Sequence, residues 1–246
     1  IEVVGIPVGP ETNFQPTPDV LENIEGDLDG LIIASPSNPT GTMIARDEMI
    51  ALVQYCKEHG IRLISDEIYH GVTYENAACS ALEFSDDAII IKSFSKYFSM
   101  TGWRLGWMVV PESLLRSVEC LSQNLFISPP TLSQLAGVAA FDCYEELDGL
   151  VANYKRNRDL LLEMLPKAGF DKLSQAEGAF YLYADVAHLT NDSEEFCRRC
   201  LAETGVAITP GIDFDPQRGN RTVRFSFAGP YEEMAEAAKR LIDWKR

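Results

Sequence analysis

The chain has 246 residues, of which 46% are hydrophobic, and this is enough to bury a sizeable core in one or two domains. Acidic residues number 37 against 21 basic ones, so the formal net charge of −16 argues against nucleic acid and anionic membranes as partners. No apolar run approaches the length of about 18 residues that a membrane-spanning helix needs.

The six cysteines are scattered along a chain of ordinary composition, which is typical of reduced thiols in a cytoplasmic protein. Cys197 and Cys200 have the CxxC spacing of many zinc sites, but no second cysteine pair or nearby histidine completes a ligand set. They also lie three residues apart in an amphipathic helical stretch, where such residues share a face. We therefore expect no metal site.

Short apolar runs alternate with helical patterns through the first part of the chain. The predicted strands cover residues 1–8, 30–34, 61–64, 88–92 and 105–110, and the predicted helices cover 20–24 and 46–59. The second helix has apolar residues at helical spacing and stops before Gly60. Strand, helix and strand joined by short loops indicate βαβ units, and hence a parallel sheet with right-handed crossovers.

The second part of the chain is mostly helical from Leu114 to Pro166, with a break at residues 128–130. A smaller α/β unit is predicted to follow, with strands over 178–184, 206–208 and 222–227 and an amphipathic helix over 231–246. The sequence therefore predicts two domains, a large one over residues 1–145 and a small one over residues 146–246.

Polar side chains follow the predicted strands, at the edge where parallel sheets bind their ligands. These candidates are Asn38, Asp66, Tyr69, Ser93, Lys96 and Arg104. Each has an ordinary explanation when taken alone: Lys96 as a solvated loop lysine, Asp66 as a turn residue and Asn38 as a turn initiator before proline. Because they are predicted to converge on one edge of the sheet, together they indicate a binding site more specifically than any of them does alone.

That set has the chemistry that pyridoxal phosphate requires. A lysine at the end of a buried strand is costly to keep charged, which lowers its pKa and suits a Schiff-base nucleophile. A carboxylate facing the pyridine nitrogen keeps the ring protonated as an electron sink. An amide and a phenol can hydrogen-bond the ring oxygen, and hydroxyls with a guanidinium match the phosphate.

Four segments occur in an order and spacing that resemble the signature segments of class I/II aminotransferases, the fold-type I PLP-dependent enzymes of the aspartate aminotransferase superfamily. They are 37–42 (SNPTGT), 65–69 (SDEIY), 93–96 (SFSK) and 102–107 (GWRLGW), and the resemblance continues through 178–181 and 223–226. It implies an α/β fold, a three-layer sandwich with a mainly parallel sheet in the large PLP-binding domain and a smaller C-terminal α/β domain.

The resemblance implies that Lys96 is the catalytic residue, which forms the Schiff base and later moves the proton between substrate Cα and cofactor C4′. Asp66 would pair with the pyridine nitrogen. Arg224 would hold the substrate α-carboxylate, with Asn38 as a second substrate-binding residue, whereas His70 receives no role. Asn38 and Tyr69 would hydrogen-bond the ring oxygen of the cofactor. Its phosphate would be bound by Ser93, Ser95 and Arg104.

The implied activity is transfer of an amino group from an L-amino acid to a 2-oxo acid. Two alternatives stay open, a PLP-dependent C–S β-lyase on the same fold and an aminotransferase-like effector domain of a transcription regulator. The resemblance also implies a homodimer and a further stretch of chain before the segment that matches Ile1. We therefore expect the large domain to be incomplete at its N-terminus and the intact parent protein to be the competent enzyme.

Overall fold

The computed structural model describes residues 1–245, which form two compact units. The first unit contains Ile1–Pro36 and Met43–Asp148. The second contains the short segment Ser37–Thr42 and runs from Gly149 to the end of the described chain. Within these residues, no helix is both long enough and apolar enough to cross a membrane.

A four-stranded sheet forms the centre of the first unit, in the order β1-β2-β3-β4. Its strands are β1 (Gly30–Ala34), β2 (Arg62–Asp66), β3 (Ile89–Ser93) and β4 (Gly106–Val109). β1, β2 and β3 are parallel neighbours, and β4 runs antiparallel to β3. The predicted α/β class with a mainly parallel sheet is therefore confirmed, and the carboxyl ends of three strands lie along one edge.

The first unit's core lies between this sheet and helix α2 (Arg46–Glu58). Alternate strand residues face it, because successive side chains of a strand point to opposite faces. The helix contributes residues at spacings of three and four, which share a face. Buried members of this core are Leu31, Ile33, Leu63 and Ile90 from the strands and Met49, Leu52, Val53 and Cys56 from the helix.

The remaining helices of the first unit agree with the predicted pattern. A short helix α1 (Pro18–Leu21) precedes the sheet, and α3 (Glu112–Leu125) and α4 (Thr131–Ala140) follow β4. The predicted break at 128–130 falls between α3 and α4, where two consecutive prolines stop helix formation. Helix α5 (Tyr144–Met164) then runs from the first unit into the second.

The second unit has a four-stranded antiparallel sheet in the order β5-β6-β8-β7. Its elements after α5 are β5 (Lys172–Leu173), β6 (Tyr181–Asp185), α6 (Ser193–Thr204), β7 (Thr209–Pro210), β8 (Thr222–Ser226) and α7 (Tyr231–Asp243). The central strand β6 is buried along most of its length, and its partner β8 carries Arg224.

Two predicted strands differ from the structure. The strand predicted over residues 1–8 is wrong, because these residues pair with none of the described strands and Ile1 and Val3 are exposed. The strand predicted over 206–208 is displaced to β7, since only Thr209 and Pro210 pair with β8. In both places apolar composition favoured a strand, but a strand exists only where a neighbour completes its hydrogen bonds.

Candidate active site

The edge formed by the ends of β2 and β3 brings several predicted site residues together. Asp66 is the last residue of β2 and Ser93 the last residue of β3, and these parallel strands pair through Asp66 and Ile91. Ser93 is also paired with Gly106 at the start of the antiparallel strand β4. The turn between β3 and β4, which carries Lys96 and Arg104, therefore begins and ends at this same edge.

Lys96 lies in that turn, with its Nζ 5.2 Å from the centre of the Tyr69 ring. Tyr69 is 3% exposed, so its ring offers a fixed surface to the ammonium group. The turn is anchored by the buried Phe94 ring, whose centre lies 4.9 Å from that of Phe98 and 5.0 Å from that of Trp107. Aromatic packing beside Lys96 thus restrains the loop that carries the amine.

Asp66 is a half-buried carboxyl group at the end of β2. Its Oδ1 accepts a hydrogen bond of 3.1 Å from the backbone N–H of Ile68. Burial raises the pKa of Asp66, while the Ile68 N–H and the positive charge of Lys96 act in the opposite direction. A cationic partner at this place would therefore stabilise the ionised carboxylate.

The segment around Lys96 also contains the residues predicted to bind the phosphate, which are Ser93, Ser95 and Arg104. The backbone N–H of Ser95 donates to Ser93 Oγ at 3.0 Å, which fixes the serine hydroxyl at the strand end. Arg104 is exposed and has a left-handed backbone with φ of 50°, and its Nη1 donates to the Thr101 carbonyl at 2.9 Å. One guanidinium and two serines thus stand at the same edge as the lysine.

Arg224 and Asn38 meet within the second unit. Nη1 of Arg224 donates to Oδ1 of Asn38 at 2.9 Å, and Nη2 donates to the Thr209 hydroxyl at 3.2 Å. The guanidinium carbon lies 4.4 Å from the centre of the Tyr181 ring and 4.8 Å from that of Phe214. Nε is buried and has no hydrogen-bond acceptor. The Arg224 guanidinium is fixed in place and still has an N–H without an acceptor, which suits a carboxylate ligand.

The Asn38 segment is fixed by close packing within the second unit. The Ser174 hydroxyl donates to the Thr40 carbonyl at 2.6 Å, and the Gly178 N–H donates to the Gly41 carbonyl at 2.9 Å. Gly41 has φ of +70°, and a Cβ there would lie 2.7 Å from the Tyr181 carbonyl oxygen. Only glycine fits this approach, so the glycine of the motif 37–42 has a direct steric explanation.

The structure also shows a buried cluster that the sequence interpretation missed. Glu67, which is 1% exposed, lies against Lys92 and His70, and the sequence analysis gave none of the three a role. A signal was available, because Lys92 stands within an otherwise apolar strand and a partly buried lysine needs an anion.

The CxxC pair lies on the buried side of α6. Cys197 and Cys200 are both buried in α6, and burial raises the pKa of Cys197 to about 12, so its thiol stays protonated. Across the described part of the chain, no group of three or more histidine, cysteine and acidic side chains could hold a metal ion.

Comparisons with known proteins point to one family. The model of aminotransferase class I and II matches residues 1–241. The valine–pyruvate aminotransferase of Mycobacterium tuberculosis is 51% identical over 99% of this chain, and the (5-formylfuran-3-yl)methyl phosphate transaminase of Methanocaldococcus jannaschii is 36% identical over 87%. The chain spans 64% of the first relative's length and 57% of the second's.

The solved structures agree. A crystal structure of an aminotransferase from Mycobacterium tuberculosis superposes with a TM-score of 0.96 at 51% identity, covering 99% of this chain and 64% of that one. The matched region contains all four signature segments and both units of the fold. This chain belongs to the aminotransferase class I and II family.

Proposed function

We propose that the protein is a pyridoxal phosphate-dependent aminotransferase that moves the amino group of an L-amino acid to a 2-oxo acid. The observation that carries this proposal is the placement of Lys96, whose amine lies over the buried Tyr69 ring at the strand edge that Asp66 also occupies. A nucleophilic amine beside a half-buried carboxylate is the pair that this cofactor needs.

The residues present fit pyridoxal phosphate and its amino acid substrate. Asp66 is a carboxyl group that burial makes costly to ionise without a cation, and a protonated pyridine nitrogen would supply that cation. Tyr69 and Asn38 would hydrogen-bond the ring oxygen. The buried Nε of Arg224, which has no acceptor, suits the fork of a substrate carboxylate. Serine hydroxyls and a guanidinium would bind the phosphate, through Ser93, Ser95 and Arg104.

Each of these side chains would have a defined task. Pyridoxal phosphate supplies an aldehyde that takes up the amino group and a ring that stores the electron pair released at Cα. The Lys96 amine would be the cofactor's attachment point and would then carry the proton from substrate Cα. The Asp66 carboxylate would hold a proton on the ring nitrogen, and Arg224 would orient the α-carboxylate.

The relatives narrow the choice of activity. They carry aminotransferase and transaminase names, which favours amine transfer over the C–S β-lyase and the effector domain. Because the Mycobacterium tuberculosis relative at 51% identity is a valine–pyruvate aminotransferase, we propose valine and pyruvate as the first donor and acceptor to test. The cytoplasmic location and the homodimer stay predictions.

The test is an amine-transfer assay on the whole protein, purified and loaded with pyridoxal phosphate. Valine, aspartate and an aromatic amino acid are each paired with pyruvate and with 2-oxoglutarate, alanine is paired with 2-oxoglutarate only, and the new amino acid is measured by chromatography. We expect transfer with valine and a change in cofactor absorbance when the donor is added. No transfer with any pair, together with an unchanged absorbance, would refute the proposal. In a separate reaction with a cysteine S-conjugate and no added 2-oxo acid, release of a thiol, pyruvate and ammonia would support the lyase.

A further inference from the structure

A buried charged cluster lies near the ends of β2 and β3. It consists of the three side chains that received no role from the sequence: Glu67, His70 and Lys92. Nζ of Lys92 lies 2.8 Å from Oε2 of Glu67 and 2.8 Å from Nδ1 of His70. The side chains are 1%, 16% and 20% exposed for Glu67, His70 and Lys92 respectively. Removing charges from water is costly unless each is paired, so this geometry is tightly constrained.

The contacts of His70 favour a neutral ring with its hydrogen on Nε2. Its Nε2 lies 3.1 Å from the carbonyl oxygen of Ser35, and because a carbonyl can only accept, Nε2 carries the hydrogen. Nδ1 of the neutral ring is then an acceptor for the Lys92 ammonium. A protonated ring would instead direct an N–H at that ammonium, although Oε2 of Glu67 also lies 3.4 Å from Nδ1. Burial lowers the pKa of His70, as does the charge of Lys92, although Glu67 opposes both.

The other carboxylate oxygen of Glu67 joins the end of β2 to residues 80–81. Oε1 accepts from the Ser65 hydroxyl at 3.2 Å, the Ser80 hydroxyl at 3.0 Å and the Ala81 N–H at 2.9 Å. Ser65 belongs to β2, and Ser80 and Ala81 lie between β2 and β3. Since Lys92 belongs to β3, the carboxylate of Glu67 connects both strands near the edge where the site lies.

Each member of the buried charged cluster is the sequence neighbour of a residue assigned to the cofactor. Glu67 follows Asp66, His70 follows Tyr69, and Lys92 precedes Ser93. Lys92 and Ser93 are successive residues of β3, so their side chains point to opposite faces of the sheet. Glu67 directly follows the end of β2, and Tyr69 and His70 lie in the turn after it, where the His70 N–H donates to the Glu67 carbonyl at 3.0 Å. A contact that holds one member of each pair therefore also restrains the backbone of the other. The cluster and the proposed site thus share the same backbone segments.

We propose that the buried charged cluster is a positioning device, which holds the cofactor-facing residues at the ends of β2 and β3 in the orientation that pyridoxal phosphate needs. This inference rests on the proposed function. The cluster members touch neither substrate nor cofactor in this role. Replacing a cluster member therefore weakens cofactor binding because the neighbouring backbone shifts. The weakening is larger than the accompanying loss of protein stability would cause.

The test compares cofactor affinity with thermal stability in the unsubstituted protein and three variants, His70→Leu, His70→Gln and Leu52→Ala. Leucine removes both ring nitrogens, whereas glutamine keeps an N–H that can reach the Ser35 carbonyl. Leu52 belongs to α2, is fully buried in the core and takes no part in the cluster, so Leu52→Ala lowers the melting temperature of the same unit as a matched control. Absorbance titration of the cofactor-free protein gives the dissociation constant.

We expect His70→Leu to weaken pyridoxal phosphate binding about tenfold, the scale of one buried hydrogen bond, and to shift the pH midpoint of the bound cofactor's visible absorbance. His70→Gln should stay within about threefold of the unsubstituted protein. Leu52→Ala should lose melting temperature and keep both cofactor properties. If His70→Leu loses no more affinity than Leu52→Ala at a matched loss of melting temperature, the cluster is structural support alone and the inference is overturned.

A second variant covers the case in which His70→Leu does not fold. Lys92→Met combined with Glu67→Gln removes both charges, so no unpaired buried carboxylate is left behind. The same weakening of about tenfold is expected, and unchanged affinity would overturn the inference. Nitrogen-15 NMR of the cofactor-free protein should show His70 with hydrogen on Nε2 only at neutral pH, and a doubly protonated ring would contradict the stated geometry.

The outcomes for the inference and for the proposed function differ. An unsubstituted protein that binds no pyridoxal phosphate overturns the proposed function, and the inference falls with it. An unsubstituted protein that binds the cofactor, with cluster variants that behave like Leu52→Ala, overturns the inference alone.

Discussion

Arg224 and Asn38, which are 186 positions apart in the sequence, share a hydrogen bond of 2.9 Å from Nη1 to Oδ1. The bond orients a guanidinium that two aromatic rings already hold in place. Because Nε is buried without an acceptor, the guanidinium is prepared for an anion that the second unit itself does not provide.

Replacing Arg224 by lysine should therefore impair substrate binding although the positive charge is kept. Lysine cannot form a bidentate fork, so we expect KM for the amino donor to rise by about ten- to a hundredfold, the scale of one or two charge-assisted hydrogen bonds. Steady-state kinetics measure this change. Arg221→Lys, at an exposed arginine three residues away, is the control and should leave KM unchanged. Equal KM values for the two variants would contradict the assigned role of Arg224.

Lys96→Ala should abolish covalent attachment of pyridoxal phosphate, because the alanine side chain has no amine. Borohydride reduction followed by peptide mapping checks this, since reduction fixes the cofactor to the lysine that holds it. Lys172→Ala removes an exposed lysine and should leave the labelling intact. A labelled peptide that contains a different lysine would show that the assignment of Lys96 is wrong.

Asp66→Asn should separate stability from function. Burial raises the pKa of the Asp66 carboxyl, so the folded state holds this proton more tightly than the unfolded state and loses stability as pH rises above the usual value. Asparagine removes the charge and can still accept from the Ile68 N–H. We expect a higher melting temperature for the cofactor-free variant at neutral pH and about a hundredfold lower amine transfer. A variant that transfers amines at the normal rate would exclude Asp66 from the site.

The His70 ring predicts a pH dependence of stability. Burial lowers the pKa of His70 in the folded state, and the charge of Lys92 acts in the same direction, whereas Glu67 and Glu83 oppose it. At a pH just below the usual histidine pKa of about 6.5, the unfolded state therefore binds more protons than the folded state. Stability should therefore fall as pH drops below about 6.5. Melting curves at a series of pH values should show a smaller fall in His70→Gln than in the unsubstituted protein. His188→Gln, at a more exposed histidine, should not reduce the fall.

Gly71→Ala should lower stability, because Gly71 has φ of +90° and a Cβ there would lie 2.7 Å from the Tyr97 ring. The left-handed backbone alone costs about 1–2 kcal/mol for an L-residue, and the contact with Tyr97 adds to it. Gly149→Ala is the matched control: Gly149 lies within α5, and a Cβ there meets nothing within 4 Å. Denaturant unfolding should show Gly149→Ala more stable by about 0.5–1 kcal/mol. An equal effect at both positions would contradict this explanation.

Elements with a strong local pattern were predictable. The predicted strand over 30–34 coincides with β1, and the predicted helix over 46–59 differs from α2 by one residue. These elements bury regular apolar faces, and this periodicity is visible in the sequence. The predicted strand over 1–8 has similar apolar composition but no pairing partner among the described residues. Pairing is a tertiary property, so composition alone could not exclude that strand.

For the site, the sequence by itself determined the residue types and the strand ends that carry them, because Asp66, Ser93 and Lys96 follow recognisable buried strands. The meeting of Arg224 with Asn38 and the contact of His70 with Lys92 were decided only by the tertiary structure. Both depend on distances and angles between side chains far apart in the chain. A hydrogen bond requires this geometry to within a few tenths of an ångström, which residue spacing does not contain.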